Sequence, residues 1–163
     1  MASGNTLLVF SAEDGSPPSS VFAAWVRRNN HVVAAFDAAT DENLDFRGVL
    51  PQHYAGGGLT IYLHWIAESA TSGTCRWSAA MERLSTDMDS DSFATAQTAG
   101  GTANGTSGII TTTSITMSSG ANMDSLAAGE AFRLRISRDA DGTSGTDDMT
   151  GDAQLVAVEI RET

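Results

Sequence analysis

The apolar residues of this 163-residue chain come in bursts of four to eight, most of them alternating with polar residues, and the bursts are separated by Gly, Asp, Ser and Thr. A period of two sends successive side chains to opposite faces, which is the pattern of a half-buried β-strand rather than of a helix. The clearest case is Leu59 to Glu68, where Ile61, Leu63, Trp65 and Ala67 share one face. After the turn 69–73, residues 74–84 place Cys75, Trp77, Ala79 and Met81 on one face. The two runs are expected to form an antiparallel pair with Trp65 and Trp77 neighbouring across the strands. Further strands are expected at 6–10, 21–27, 31–36, 44–50, 92–98, 109–117, 132–138 and 154–161. Phe132, Leu134 and Ile136 should face inward, with Arg133 and Arg135 outward.

The connections fit this reading. Glu13-Asp14-Gly15-Ser16-Pro17-Pro18 cannot sit inside a strand or helix, and Asn29-Asn30 suits a tight hairpin. Residues 99–108 are expected as a Gly/Thr/Asn loop, and 139–151 as a second long loop. Only Met123 to Ala128 resembles a helix, of one or two turns. About eight to ten antiparallel strands with long surface loops predict an all-β fold, a jelly-roll-type β-sandwich. Residues 19–163 are expected as one such domain and residues 1–18 as an N-terminal arm. No internal repeat is present.

Composition narrows the chemistry. Of the 163 residues, 76 are Ala, Gly, Ser or Thr, which suits many turns and closely approaching sheets. All nine basic residues are Arg, so a P-loop lysine, a pyridoxal phosphate Schiff base and a Ser-x-x-Lys nucleophile are excluded. The lone Cys75 excludes intrachain disulfides and cysteine-rich zinc sites, and is expected as core packing. A net charge of −11 argues against nucleic acid as a partner. No burst is long enough to span a membrane as a helix, and the start Met1 to Thr6 has neither a basic region nor a cleavable apolar run. The expectation is a soluble chain without a secretion signal.

Candidate sites are few. Asp87-x-Asp89-x-Asp91 opens like a calcium loop, but an EF-hand would carry Gly and Glu where this chain has Ser92 and Thr98. Asp87, Asp89 and Asp91 are therefore weak candidates for Ca²⁺, with a solvated acidic turn as the plain alternative. The acids of 139–152 carry a similar choice. His31, His53 and His64 lack metal-ligand spacing. Arg133 and Arg135 are expected to pair with carboxylates such as Glu159, or with a neighbouring subunit. Exposed Trp25, Tyr54 or Tyr62 would offer a stacking platform for sugar rings, with core or interface packing the expectation for most of them. Paired carboxylates would suffice for a glycan hydrolase, but twenty acids make such a pair uninformative without geometry.

The runs Tyr62-Leu63-His64-Trp65-Ile66-Ala67, Thr71-Ser72-Gly73, Asp89-Ser90-Asp91-Ser92-Phe93-Ala94, Ala127 to Asp139 and Asp148 to Leu155 resemble small β-rich structural proteins of tailed bacteriophages. The resemblance covers roughly residues 20–163. It implies a head decoration, or cement, protein: a non-enzymatic homotrimer that sits on the capsid exterior and binds the major capsid protein. No catalytic residue and no cofactor are carried over. In that setting Leu7, Leu8, Val9 and Phe10 would add a strand to a neighbouring sheet, with Arg133 and Arg135 as further assembly contacts. Deleting residues 1–18 would then weaken capsid binding and leave the fold intact. The alternatives are a tail-fibre or surface glycan-binding β-sandwich, and a carboxylate-dependent glycan hydrolase.

Overall fold

Eight of the ten strands among the described residues fold as a nested hairpin. The computed structural model describes residues 4–85, 88, 89 and 91–163. Its strands are β1 (Thr6–Ser11), β2 (Ala24–Arg28), β3 (His31–Phe36), β4 (Asn43–Val49), β5 (Leu59–Ala67), β6 (Thr74–Arg83), β7 (Gln97–Thr102), β8 (Thr111–Met117), β9 (Ala131–Arg138) and β10 (Ala153–Glu162). β3 pairs with β10, β4 with β9, β5 with β8 and β6 with β7, all antiparallel. Curling that long hairpin gives two sheets, β3-β10-β5-β8 and β4-β9-β6-β7, which is the jelly-roll order. β2 extends the first sheet beside β3 through an Asn29-Asn30 turn with both residues at positive φ, as a type I′ hairpin requires.

Phe36, Leu63, Trp65, Leu155, Val158 and Ile160 of one sheet face Phe46, Trp77, Met81, Phe132, Leu134 and Ile136 of the other, all fully buried. The expected pairing of 59–68 with 74–84 is corrected here, because β5 and β6 lie in different sheets. Trp65 and Trp77 do meet, with ring centroids 5.9 Å apart, but across the sandwich and not along a ladder. Phe36 packs edge-on to Trp77 at 5.1 Å, and Trp65 Nε1 donates to Thr113 Oγ1 at 3.0 Å. Burying each indole contributes at most about 4–6 kcal/mol.

Two boundaries also moved. The loop expected from Ala99 begins as β7, and the strand expected at 92–98 begins only at Gln97. Gly101 allows this: a Cβ there would collide with Thr113 Oγ1 and lie 3.0 Å from the Trp65 ring, so only glycine lets β7 approach β8 this closely. The helix expected at 123–128 is a 3-10 turn at Ala121–Met123, ended by Asp124 and Ser125 in the left-handed region.

Of the residues expected as an arm, 1–3 lie outside the described residues, and 4–18 are placed along the chain's own sandwich. β1 pairs with the C-terminal half of β10, beside the end of β3 on the same edge. Leu7 is buried, and the Phe10 ring lies 5.7 Å from Phe46 and 6.5 Å from Phe132. Removing residues 1–18 would take these contacts away, so a cost to the fold is now expected. The segment 12–23 then runs past β4, with bridges Ser16 to Asp45 and Phe22 to Asn43.

An ion-pair cluster on the outer face of the first sheet ties β1, β10 and β5 together. Arg161 Nε and Nη2 donate to the two oxygens of Glu159 at 2.8 and 2.9 Å, Thr6 Oγ1 donates to the same carboxylate, and His64 Nε2 lies 3.6 Å away. The hydrogen bonds from Arg161, then Thr6, pull the Glu159 pKa down to about 2. A depressed carboxylate stabilises the fold fully above its unfolded value, and that stability is lost as pH falls through the folded value. Wild-type stability should therefore drop by about 1 kcal/mol more than that of Glu159→Gln between pH 5 and pH 2. Parallel losses in urea melts of the two proteins would count against this role.

Candidate functional site

Outward-facing residues of the second sheet line up across all four strands. Register places Asn43 (β4) opposite Ser137 (β9), Ser137 opposite Ser78 (β6), and Ser78 opposite Thr98 (β7). The four short polar side chains are half-buried and form one row perpendicular to the strands. At about 4.8 Å per strand the row spans roughly 14 Å. Ser137 Oγ donates to Asn43 Oδ1, Asn43 Nδ2 donates to the Val21 carbonyl at 3.3 Å, and Arg76 Nη2 donates to Thr98 Oγ1 at 2.7 Å.

Taller groups stand on both sides of this row, so it becomes the floor of a trough. One stretch, about 510 Å³, is lined by Pro18 to Val21, Asp41, Asn43, Asp91, Arg133 and Arg135. The next, about 370 Å³, shares Asp41 and Asn43 and continues past Ser78, Thr95, Thr98, Ser137, Asp139 and Ser144. Val21 forms part of the rim with φ of 50°, a left-handed conformation that is costly for a β-branched residue. It is held there by the Asn43 N–H, which donates to the Val21 carbonyl at 3.1 Å.

The wall made by Arg133 and Arg135 is rigid. Arg135 donates through Nε and Nη2 to both oxygens of Asp45, at 2.7 and 2.9 Å. Arg133 donates to Glu82 and to Asp91. Both guanidiniums lie on the Phe93 ring, 4.6 and 4.4 Å from its centroid, which brings the 91–96 segment down onto the sheet. The partners of the two arginines are thus Asp45, Glu82 and Asp91, whereas Glu159 serves Arg161 and His64.

On the opposite wall the 139–152 loop is pinned. Arg138, fully buried, forms a bidentate pair with Asp147 and donates to the carbonyls of Phe36, Met149 and Gly151. Asp147 also accepts the Arg76 N–H, and Asp148 the Thr74 N–H. Asp139 is buried, which raises its pKa, but hydrogen bonds from Ser144 and Thr143 outweigh burial and hold it below the ordinary carboxylate range. The Arg133 hydrogen bond does the same for Asp91. A general acid needs the opposite shift. Glu42 and Asp152 are raised by burial, but neither lines the trough.

The residues singled out from the sequence fall in several places. Asp87 lies outside the described residues; Asp89 is exposed, and Asp91 is engaged by Arg133. Asp41, Asp139 and Asp141 bring carboxylate oxygens within 4.8 Å of one another, although Asp139 and Asp141 already accept hydrogen bonds from their own loop. Of the three aromatics, Tyr54 is buried and the half-buried Tyr62 ring is covered by the Arg161 guanidinium at 4.3 Å, so packing holds for both and no platform forms, while Trp25 is 38% exposed. Cys75 is in the core, and burial pushes its thiol up, so it is no nucleophile at neutral pH. Leu7 is buried and Leu8 and Phe10 pack against the core, leaving Val9 of that set pointing to solvent.

A second hollow, about 480 Å³, lies on the outer face of the first sheet. Its lining is chiefly apolar, with Val33, Ile66, Val156 and Ile110, and its Arg28 is spent on the carbonyls of Ala67 and Glu68 and on Gln154 and Ser107. It offers few free polar groups. The trough across the second sheet is the stronger candidate for a polar ligand.

No protein-family model and no curated protein matches the sequence. Solved structures do resemble the fold. The CBM36-1 domain of a multidomain xylanase from the hindgut metagenome of Trinervitermes trinervoides superposes with a TM-score of 0.51 at 11% identity, covering 96% of each chain. Isomalto-dextranase of Arthrobacter globiformis T6, complexed with panose, gives 0.51 at 14% identity over 93% of this chain and 22% of the enzyme. At such identities what is shared is the fold: this chain is an all-β sandwich of two antiparallel sheets, of the kind found in those two structures.

Proposed function

We propose that the protein is a non-catalytic glycan-binding module whose ligand lies in the trough across β4, β9, β6 and β7. The observation that carries this reading is the row Asn43, Ser137, Ser78 and Thr98. Hydroxyl and amide groups both donate and accept, which is what an array of sugar hydroxyls needs. Rigid walls hold them in place before the ligand arrives, so little ordering is lost on binding. Further support comes from the two similar folds, one a carbohydrate-binding domain of a xylanase and the other in complex with an oligosaccharide. Hydrolysis would also need a carboxyl with a raised pKa, and the two shifted acids of the trough, Asp91 and Asp139, are both lowered.

Titrating the labelled protein with soluble oligosaccharides should shift the backbone resonances of Asn43, Ser78, Thr98 and Ser137. Ser78→Ile keeps a strand-forming residue but fills the floor and removes a hydroxyl. It should weaken binding about tenfold or more while changing stability by no more than about 0.5 kcal/mol, as an outward-facing substitution does. Unchanged affinity in that variant, or shifts confined to another face, would overturn the assignment. The virion reading is a second proposal, favoured by one feature: β1 pairs on one side only and presents Val9, 63% exposed, to solvent. It requires a trimer in sedimentation, and a monomer would remove it.

A further inference from the structure

The charges around the trough narrow the class of glycan, and the inference rests on the glycan-binding reading. Three arginines adjoin it, Arg133, Arg135 and the enclosed Arg138, and each is already committed to carboxylates within the fold: Glu82, Asp45 and Asp91 for the first, Asp45 for the second, Asp147 for the third. Arg133 and Arg135 also lie over the Phe93 ring, and Arg138 is wholly buried, so the charges of all three are already compensated within the fold before an anion arrives. Arg76 donates to Thr98 and does not line the trough. Against these stand Asp41, Asp91 and Asp139 in the lining, with Asp141 beside them, on a protein of net charge −11. The hydrogen-bonding floor is neutral, and its carboxylate rim accepts from sugar hydroxyls but repels a second negative charge.

We infer that the trough takes uncharged glycan chains and rejects those carrying uronic acid or sulfate groups. The bound chain crosses the strands along the Asn43 to Thr98 row, with its hydroxyls facing Asp41 and Asp139 at one wall. Specificity of this kind comes from the repulsive element as much as from the attractive one.

Calorimetry on the full chain tests this with neutral β-1,4-linked glucose, xylose and mannose hexasaccharides and α-1,6-linked glucose hexasaccharide, each beside its carboxymethylated derivative. The expected result is binding of at least one neutral chain, with its carboxymethylated partner about tenfold or more weaker at low salt. That penalty should shrink at 0.5 M salt, where screening shortens the reach of the rim charges. The double variant Asp41→Asn/Asp91→Asn changes two exposed acids and should narrow the gap in the same direction. Equal or tighter binding of the carboxymethylated chains would overturn the charge inference and leave the glycan-binding reading standing. Binding of no member of the panel by a protein confirmed as folded would overturn both.

Discussion

Replacing Arg138 with methionine is expected to destabilise the protein by about 3–5 kcal/mol, because it leaves the Asp147 carboxylate buried without its counter-ion. The Asp147 side chain is 2% exposed, and that of Arg138 is wholly enclosed. Burial disfavours the guanidinium's charge, but the hydrogen bonds to Asp147 and the nearby negative charges, Asp147 and Asp152 among them, together outweigh that cost and hold its pKa above the ordinary value. Five hydrogen bonds depend on this one side chain, two to Asp147 and three to the carbonyls of Phe36, Met149 and Gly151. They join the end of β3 to the 139–152 loop. For a domain of this size the loss corresponds to a fall of about 10–15 °C in Tm. Since whole domains are stable by only about 5–15 kcal/mol, the variant should approach the limit of folding.

A double variant separates charge from packing. Arg138→Met/Asp147→Leu removes both charges, and it should recover part of the loss, since a buried pair replaced by apolar groups is often near neutral. Recovery should be incomplete, because Asp147 also accepts the Arg76 N–H and that donor would be left unpaired. If the single variant melted within 3 °C of wild type, the ion pair would not organise the loop. Ser144 belongs to that loop, so the single variant should also weaken oligosaccharide binding at the trough wall.

Deleting residues 1–11 should cost a similar amount, about 3–5 kcal/mol, through lost burial of Leu7 and Phe10 and lost ladder bonds to β10. The deletion also bares the edge of β10 from Ala157 to Arg161, and an unpaired central edge invites association with other chains. A synthetic peptide of residues 1–11 should restore Tm in a concentration-dependent way, because it binds only the folded form. A truncated protein that melts like the wild type, with no response to the peptide, would mean that β1 is an accessory strand.

How far the sequence reached can be judged at particular residues. Alternation located nine of the ten strands and touched only the first two residues of β7, and it assigned Leu134 and Ile136 inward with Arg133 and Arg135 outward, because side-chain parity is a local property of an extended backbone. The Asn29-Asn30 turn was equally local. The pairing of β5 with β6 was misjudged because a short link between two strands reads as a hairpin, whereas here residues 68–73 pass from one sheet to the other. The aromatic platform failed for a related reason: whether a tyrosine is open depends on what covers it, and the Arg161 guanidinium above Tyr62 belongs to a different strand.

The trough was the least legible feature. Asn43, Ser78, Thr98 and Ser137 are unremarkable where they stand in the chain; the parity of each strand gives only their outward direction. Their alignment is a matter of register among four strands, with Asn43 and Ser137 94 positions apart in the chain. Period-two patterning fixes which face a residue takes, but not which strand lies beside it, since many pairings satisfy the same alternation. The sequence by itself therefore determined an all-β sandwich, its strands and their inward faces. The tertiary structure alone decided the sheet order, the return of β1 to its own sheet and the polar row on the outer face, because each rests on contacts between segments far apart in the chain.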